Sequence, residues 1–241
     1  NTNLVIEMVE ALGDNATREH ILIKGENHYM RALNYFLLVI EFAQPYSNNP
    51  ESNPGLPIKL DSNPDPSTLP KSRSTVAEVY DQIVKDLQES ISLLTLEAGE
   101  TPKNNNFVTK EAAEALLARV YLYMGKTEEA AQMADNVIKS DRFELEQGER
   151  YAKYAQWLPE NNKETIFAVR MVKEKDSNDD FGSLYIQADG SGWEEIYPSN
   201  PFLQLMELHL DENHMPLDLR SRYITKRYVE DGVTDYAVYG H

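Results

Sequence analysis

Cysteine is missing from all 241 residues. Its absence excludes disulfides, a thiolate nucleophile and sulfur-bound zinc, and leaves the compartment undecided. No run of about 18 apolar residues occurs, so no segment reads as a membrane-spanning helix. Basic residues are scarce: 23 Lys and Arg stand against 40 Asp and Glu, a net charge of −17. Such a surface argues against nucleic-acid backbones and anionic membranes as partners and leaves neutral ligands open. A glycine-rich phosphate loop, G-x-S-x-G and H-E-x-x-H are all lacking, so the inventory of catalytic motifs is nearly empty. No signal peptide opens the sequence. It starts instead on a helical pattern, Leu4, Val5, Met8, Val9 and Leu12, as expected of a cytosolic protein or of a processed or trimmed one.

What is present is helical periodicity. The stretch Gly25 to Tyr46 runs as one apolar helix pattern, with Met30, Leu33, Leu37 and Ile40 spaced by three or four. Its apolar residues spill beyond one stripe, which predicts burial on more than one side. Arg31 interrupts this stretch and needs an acid partner, with Glu26 the nearby choice, or a snorkelling path to water. Upstream, Gly13 closes a first helix, and Asn15 or Thr17 can cap the second. Seven of the twelve prolines fall between Pro45 and Pro70, predicting a long extended surface loop, residues 45–73, with Gly55-Leu56-Pro57-Ile58 pinning it down. Thr75 and Glu78 form a capping-box pattern. Val76, Val79, Ile83, Leu87, Ile91 and Leu94 then trace the apolar stripe of a helix. Thr109 can cap a helix from Lys110 to Met124, Gly125 stops it, and another helix runs from Thr127 to about Ser140.

Leu117, Ala118, Tyr121, Gly125 and Ala130 fall at the offsets of a tetratricopeptide unit, the helix-turn-helix repeat. Ala32 and Tyr35 echo Ala118 and Tyr121. The proline-rich loop is then an insertion between two helices of one pair. Beyond Tyr151 the helical rule weakens. Glu164 to Met171 alternates like a strand, Pro201 to Leu210 reads as a short helix, and Arg220 to Val229 as a second strand that can pair with the first. The tail from Glu230 carries no readable pattern.

In this order the pieces resemble the SusD/RagB family of Bacteroidetes cell-surface nutrient-binding proteins. The carrying residues are Gly25-Glu26, Arg31-Ala32, Tyr35-Phe36, Pro45-Tyr46, Gly55-Leu56-Pro57, Arg73-Ser74-Thr75-Val76, Tyr80-Asp81, Ile83, Asp86-Leu87, Ala115 to Tyr121 and Glu164 to Phe167, with Asp218 and Arg220 more weakly. The resemblance implies a mainly α fold of tetratricopeptide-like helix pairs, with long loops and a small β element after residue 163. Residues 1–150 would form the helical scaffold, and residues 151–241 an irregular ligand-binding lobe packed on it as one domain. It further implies a lipoprotein on the exterior face of the outer membrane. Such a protein captures an oligosaccharide or other nutrient for a SusC-like TonB-dependent transporter, and it is not an enzyme. Family chains are longer and open on a signal peptide and a lipidated cysteine, so this sequence is expected to be an internal portion.

The long loop of residues 172–200 holds the ligand-binding candidates: Tyr185, Trp193 and Tyr197, with Gln187, Asp189 and Asn200 among them. Flat aromatics match the C–H face of a sugar, while amides and carboxylates match its hydroxyl rim. The competing reading is that Trp193 and Tyr197 anchor the loop to the helices. Glu194 and Glu195 are adjacent on an extended chain and point apart, a poor fit to a glycosidase pair. Asp176, Asn178 and Asp180 have the spacing of a calcium loop, but Phe181 and Gln187 stand where glycine and glutamate are required. His20, His28, His209, His214 and His241 have no ligand spacing and read as scattered surface histidines. No catalytic residue, metal site or cofactor is expected. A different class of function, a tetratricopeptide scaffold binding a peptide or protein partner, rests on the Leu117 to Ala130 pattern.

Overall fold

The computed structural model describes residues 2–65, 67, 69, 72–152, 159–170, 199–207, 217–220, 224–228 and 234–238. The order is α1 (Thr2–Ala11), α2 (Arg18–Phe42), α3 (Val76–Leu94), α4 (Lys110–Tyr123), α5 (Thr127–Lys139), α6 (Gly148–Ala152), α7 (Asn200–Glu207), β1 (Ile224–Tyr228) and β2 (Thr234–Val238). The protein is thus mainly helical. Two units divide it: residues 1–144 with 165–169, and residues 145–164 with 170–241.

The helix boundaries of the first unit follow local chemistry. Thr17 caps α2 and Thr75 caps α3; in each, the hydroxyl accepts the N–H three residues on, and His20 or Glu78 reaches back to the capping residue's N–H. Thr109 caps α4. Gly13 and Gly125 adopt φ +51° and +75°, a conformation glycine reaches without the Cβ penalty. Each helix from α1 to α5 packs on the next. The core gathers Tyr29, Ala32, Phe36 and Val39 of α2, Val79, Tyr80, Ile83 and Leu87 of α3, and Ala113, Leu116, Leu117 and Val120 of α4. Phe36 sits edge-on to Tyr80 and Tyr123, with centroids 6.3 and 5.2 Å away, the arrangement ring quadrupoles favour.

The expected stripe of α2 needs correction. Leu37 and Ile40 are exposed, as are Leu38 and Phe42. The buried residues are Gly25, His28, Tyr29, Arg31, Ala32, Phe36 and Val39, with Met30 and Leu33 partly buried against the core, so the burial on more than one side holds for α2 but not through Leu37 and Ile40. Periodicity alone could not choose between two apolar faces on one helix. The face that won holds the residues able to approach α3 closely.

Two glycines mark close approaches. A Cβ on Gly25 would lie 2.9 Å from Leu94 Cγ and 3.1 Å from Leu93 Cβ; one on Gly55 would lie 2.6 Å from the carbonyl oxygen of Thr75. Gly55 belongs to the proline-rich loop, which is tied down along its length. Gly55 N–H donates to Ser74 O, and Ser74 N–H to Leu56 O. Arg73 donates to the carbonyls of Phe42 and Pro54. Tyr35 Oη donates to Lys59 O and accepts from Lys59 N–H. Leu56 enters the core and Ile58 packs against it.

Arg31 is paired with Asp86, not with Glu26. Asp86 Oδ2 accepts from Arg31 Nε at 2.9 Å and from Gln82 Nε2 at 3.0 Å. Asp86 Oδ1 accepts from Arg31 Nη2 at 2.5 Å and from His28 Nδ1 at 2.8 Å. Glu26 instead pairs with Lys103. His28 is buried within this cluster, which corrects its reading as a surface histidine.

Residues 164–170 form no strand. Asn105 holds the stretch with both backbone and side chain: its carbonyl accepts from Ala168 N–H at 2.9 Å and its Nδ2 donates to Thr165 O at 3.1 Å. The consecutive side chains of Ile166 and Phe167 both pack against the core, which a pleated strand with side chains on alternate faces does not allow. Phe167 meets Tyr29 edge-on at 5.4 Å. The β element lies further on: β1 pairs with β2 in antiparallel register, Ile224 opposite Val238 and Tyr228 opposite Thr234. The strand partner is therefore in the tail.

In the second unit, Glu146 is the organising group. It accepts two bonds from Arg150, at 2.6 and 2.8 Å, and one from Lys163 N–H at 2.9 Å. These bonds push its carboxyl down to about 2. Arg150 also donates to Asn161 O.

Burial works against the Asp86 charge, but the bonds from His28, Arg31 and Gln82 and the Arg31 charge hold its carboxyl below the ordinary range. A depressed native pKa means that the unfolded chain binds the proton more readily, so the stabilisation is complete above about pH 4 and is lost as the pH falls through the lower native value. Asp86→Ala leaves Arg31 buried and unpaired and is expected to cost about 3–5 kcal/mol in urea unfolding at pH 7. Between pH 7 and 3, the wild type is expected to lose more stability than Asp86→Asn. Gly25→Ala gains about 1 kcal/mol of helix propensity against an overpacking cost of about 1–3 kcal/mol. Gly55→Ala meets backbone, which cannot shift as the tip of Leu94 can, and lowers the thermal midpoint further.

Candidate functional site

The first unit holds a larger and a smaller cavity among its described residues. The larger, about 480 Å³, lies between the N-terminal half of α2, the end of α3, the connection that follows it and the start of α4; Leu22, Leu94, Leu96 and Val108 give it apolar walls, and Glu19, Glu26, Lys103 and Arg142 a charged mouth. Its charges are paired. Lys103 Nζ lies 2.9 Å from Glu26, 3.5 Å from Glu19 and 4.9 Å from the centroid of the Phe107 ring. Burial lowers the Lys103 pKa, but the bonds and charges of the two glutamates outweigh it and the ammonium is raised. Arg142 pairs with Glu111 and donates to Lys103 O. Arg18 forms a two-pronged pair with Glu100, both contacts 2.8 Å, and the Glu100 carboxyl is pushed down to about 2 by Arg18 and by the Glu97 N–H.

Chemically, this cavity can hold and orient; its carboxylates are engaged by cations. Glu114 is the buried carboxyl whose pKa is raised, first by burial, with Lys110 and Asn136 opposing the rise. It stands against Lys110 at 3.7 Å and accepts from Asn136 at 3.2 Å, which is the geometry of a helix-packing contact.

The smaller cavity, about 280 Å³, is lined by residues of α1, α2 and α3 and by Leu60 of the proline-rich loop; Arg31, Asp86 and His28 reach it. The signal in the sequence for this group was two pairs of polar residues on apolar helix faces. His28 and Arg31 are three apart, Gln82 and Asp86 four apart, and each spacing keeps its pair on one face.

Of the six residues expected to bind ligand, Asn200 is the first residue of α7 and is exposed. Tyr185, Gln187, Asp189, Trp193 and Tyr197 lie outside the described residues, as do Glu194 and Glu195, the calcium-like turn and His209, His214 and His241. Among the described residues, no three His, Asp or Glu side chains are placed to hold a metal ion, and no helix is long and apolar enough to cross a membrane.

A family model described as "Starch-binding associating with outer membrane", SusD-like, matches residues 1–122. The chain belongs to the SusD-like family. The match runs from α1 into α4 as far as Leu122 and includes Arg31, Gly55 and Asp86. Among solved structures, a SusD superfamily protein from Bacteroides thetaiotaomicron is 31% identical, with a TM-score of 0.74 over 95% of this chain and 49% of its own. Another, from Bacteroides vulgatus, is 25% identical, with a TM-score of 0.74 over 99% of this chain and 52% of its own. The chain thus spans about half the length of these solved relatives. A comparison with curated proteins finds no match.

In Arg18→Met, the Glu100 carboxyl is expected to titrate closer to its ordinary value, well above the value of about 2 expected in the wild type. Carboxyl carbon shifts followed by NMR from pH 7 to 2 check this, and an unchanged Glu100 midpoint would remove Arg18 as the cause.

Proposed function

We propose that the protein captures oligosaccharide at the outer surface of the outer membrane and hands it to a SusC-like TonB-dependent transporter. The observation that carries the reading is the match of residues 1–122 to a family described as starch-binding and outer-membrane associated. Tyr185, Trp193 and Tyr197 stack against sugar faces, and Gln187, Asp189 and Asn200 bond the hydroxyls. Attachment is through a lipid anchor. The protein acts by binding, without catalysis. Its acidity suits a neutral glycan, which suffers no repulsion from a net charge of −17.

A second reading is a scaffold for a peptide or protein partner, favoured by the successive packing of α2 to α5. Calorimetric titration with starch oligosaccharides separates the two. Saturable binding is expected, weakened at least about tenfold (1.4 kcal/mol) in Trp193→Ala with an unchanged thermal midpoint. No binding by any plant, starch or host oligosaccharide would rule out the glycan reading. A partner retained by the helices after deletion of residues 172–200 would favour the scaffold.

A further inference from the structure

In a chain with a net charge of −17, the larger cavity is lined by carboxylates that each stand against a cation. Glu26 lies 2.9 Å from Lys103, Glu111 pairs with Arg142, and Glu100 meets Arg18 through both oxygens. These pairs are tight. Two further lining groups are held more loosely. The Glu19 carboxylate stands 3.5 Å from Lys103, and its side chain is 64% exposed. The Lys110 ammonium stands 3.7 Å from Glu114, and its side chain is 39% exposed. Both contacts exceed the ~2.7–2.9 Å of a charge-assisted hydrogen bond. The least committed charges of the lining are therefore one carboxylate, on α2, and one ammonium, at the start of α4.

The same lining carries apolar surface that solvent reaches. Leu96 and Pro102 are exposed and Leu22 is partly buried, while Leu94 and Val108 are buried. Glu19, Leu22 and Glu26 follow one another at spacings of three and four, so α2 presents a leucine and two carboxylates on one face. These walls are aliphatic, and no aromatic ring is among the lining residues. A flat sugar face is best met by an aromatic ring, whereas aliphatic walls suit a hydrocarbon side chain. A lone anion would meet the carboxylates, and a lone cation would meet Lys103, Lys110 and Arg142. A molecule with one charge of each sign on an apolar body finds a partner for every part. The volume of about 480 Å³ lies within the ~300–1,000 Å³ typical of small-molecule sites.

We propose that this cavity binds a zwitterionic molecule with an apolar side chain, of the size of a free hydrophobic α-amino acid. Its ammonium meets Glu19, its carboxylate meets Lys110, and its side chain lies against Leu22, Leu96 and Pro102. The site goes beyond the carbohydrate reading and does not rest on it, and it uses none of residues 172–200.

The test is a titration of the ¹³C-methyl-labelled protein with L-phenylalanine, whose ring shifts the signals of methyl groups beside it. Two analogues run in parallel: phenethylamine, which lacks the carboxylate, and hydrocinnamate, which lacks the ammonium. The expected result is a saturable shift of the Leu22 and Leu96 methyl signals with L-phenylalanine, with several-fold more of either analogue needed. Glu19→Gln should weaken L-phenylalanine and phenethylamine and leave hydrocinnamate unchanged. Lys110→Gln should weaken L-phenylalanine and hydrocinnamate and leave phenethylamine unchanged, and Lys110→Arg, which keeps the charge opposite Glu114, should restore binding. No saturable shift with L-phenylalanine overturns the site, and a saturable shift that leaves Leu22 and Leu96 unmoved overturns its location. An analogue that binds as tightly as L-phenylalanine overturns the zwitterion assignment.

Discussion

The carboxylate of Asp86 is the point on which the first unit turns. It is 1% exposed, and an isolated charge at such a place would be prohibitively costly. It persists because α2 delivers Arg31 and His28 to it and α3 delivers Gln82 from its own previous turn. The contact works only if α2 and α3 stand at one register: a slip of one residue on either helix would leave a buried charge facing apolar side chains. Hydrophobic burial drives the two helices together, and this cluster selects one arrangement from the many that burial alone would accept. Arg31 Nη1 also donates to Asn3 of α1 at 3.0 Å, so three helices are positioned by one ion pair.

Close approach supplies the second constraint. Gly25 lets α2 lie against the end of α3 at Leu93 and Leu94, and Gly55 lets the proline-rich loop lie against the start of α3 at Thr75. The loop thereby becomes a structural layer. Its bonds to Tyr35, Arg73 and Ser74 and its Leu56 in the core remove the freedom that its length would otherwise give it. The same loop contributes Leu60 to the lining of the smaller cavity, so the geometry of that cavity depends on how the loop is tied.

The charges of the first unit are matched in pairs. Glu26 faces Lys103, Glu100 faces Arg18 and Glu111 faces Arg142. These contacts fix the three side chains in place, and the Arg18 pair holds the Glu100 carboxyl well below its ordinary range. The chain remains acidic overall, with a net charge of −17.

The local signals in the sequence were sound where they depended on residues a few positions apart. Thr75 with Glu78 caps α3, Thr109 caps α4, and Gly125 turns the chain, because capping bonds and a positive φ involve only neighbours. Tetratricopeptide-like spacing at Leu117, Ala118 and Tyr121 likewise reflects one helix's own periodicity. Readings that needed a distant partner went astray. Arg31 meets Asp86, 55 residues away, instead of Glu26 close by. Ile166 and Phe167 pack on helices where a strand was expected, and β1 pairs with a segment that carried no pattern. Of the candidate ligand residues, Asn200 alone falls within the described part of the chain. The sequence by itself determined where the first five helices begin and end and which family motifs they carry. Tertiary structure alone decided which face of α2 is buried, which acid holds Arg31, and that His28 is buried against Asp86, because each of these depends on what another part of the chain brings within a few ångströms.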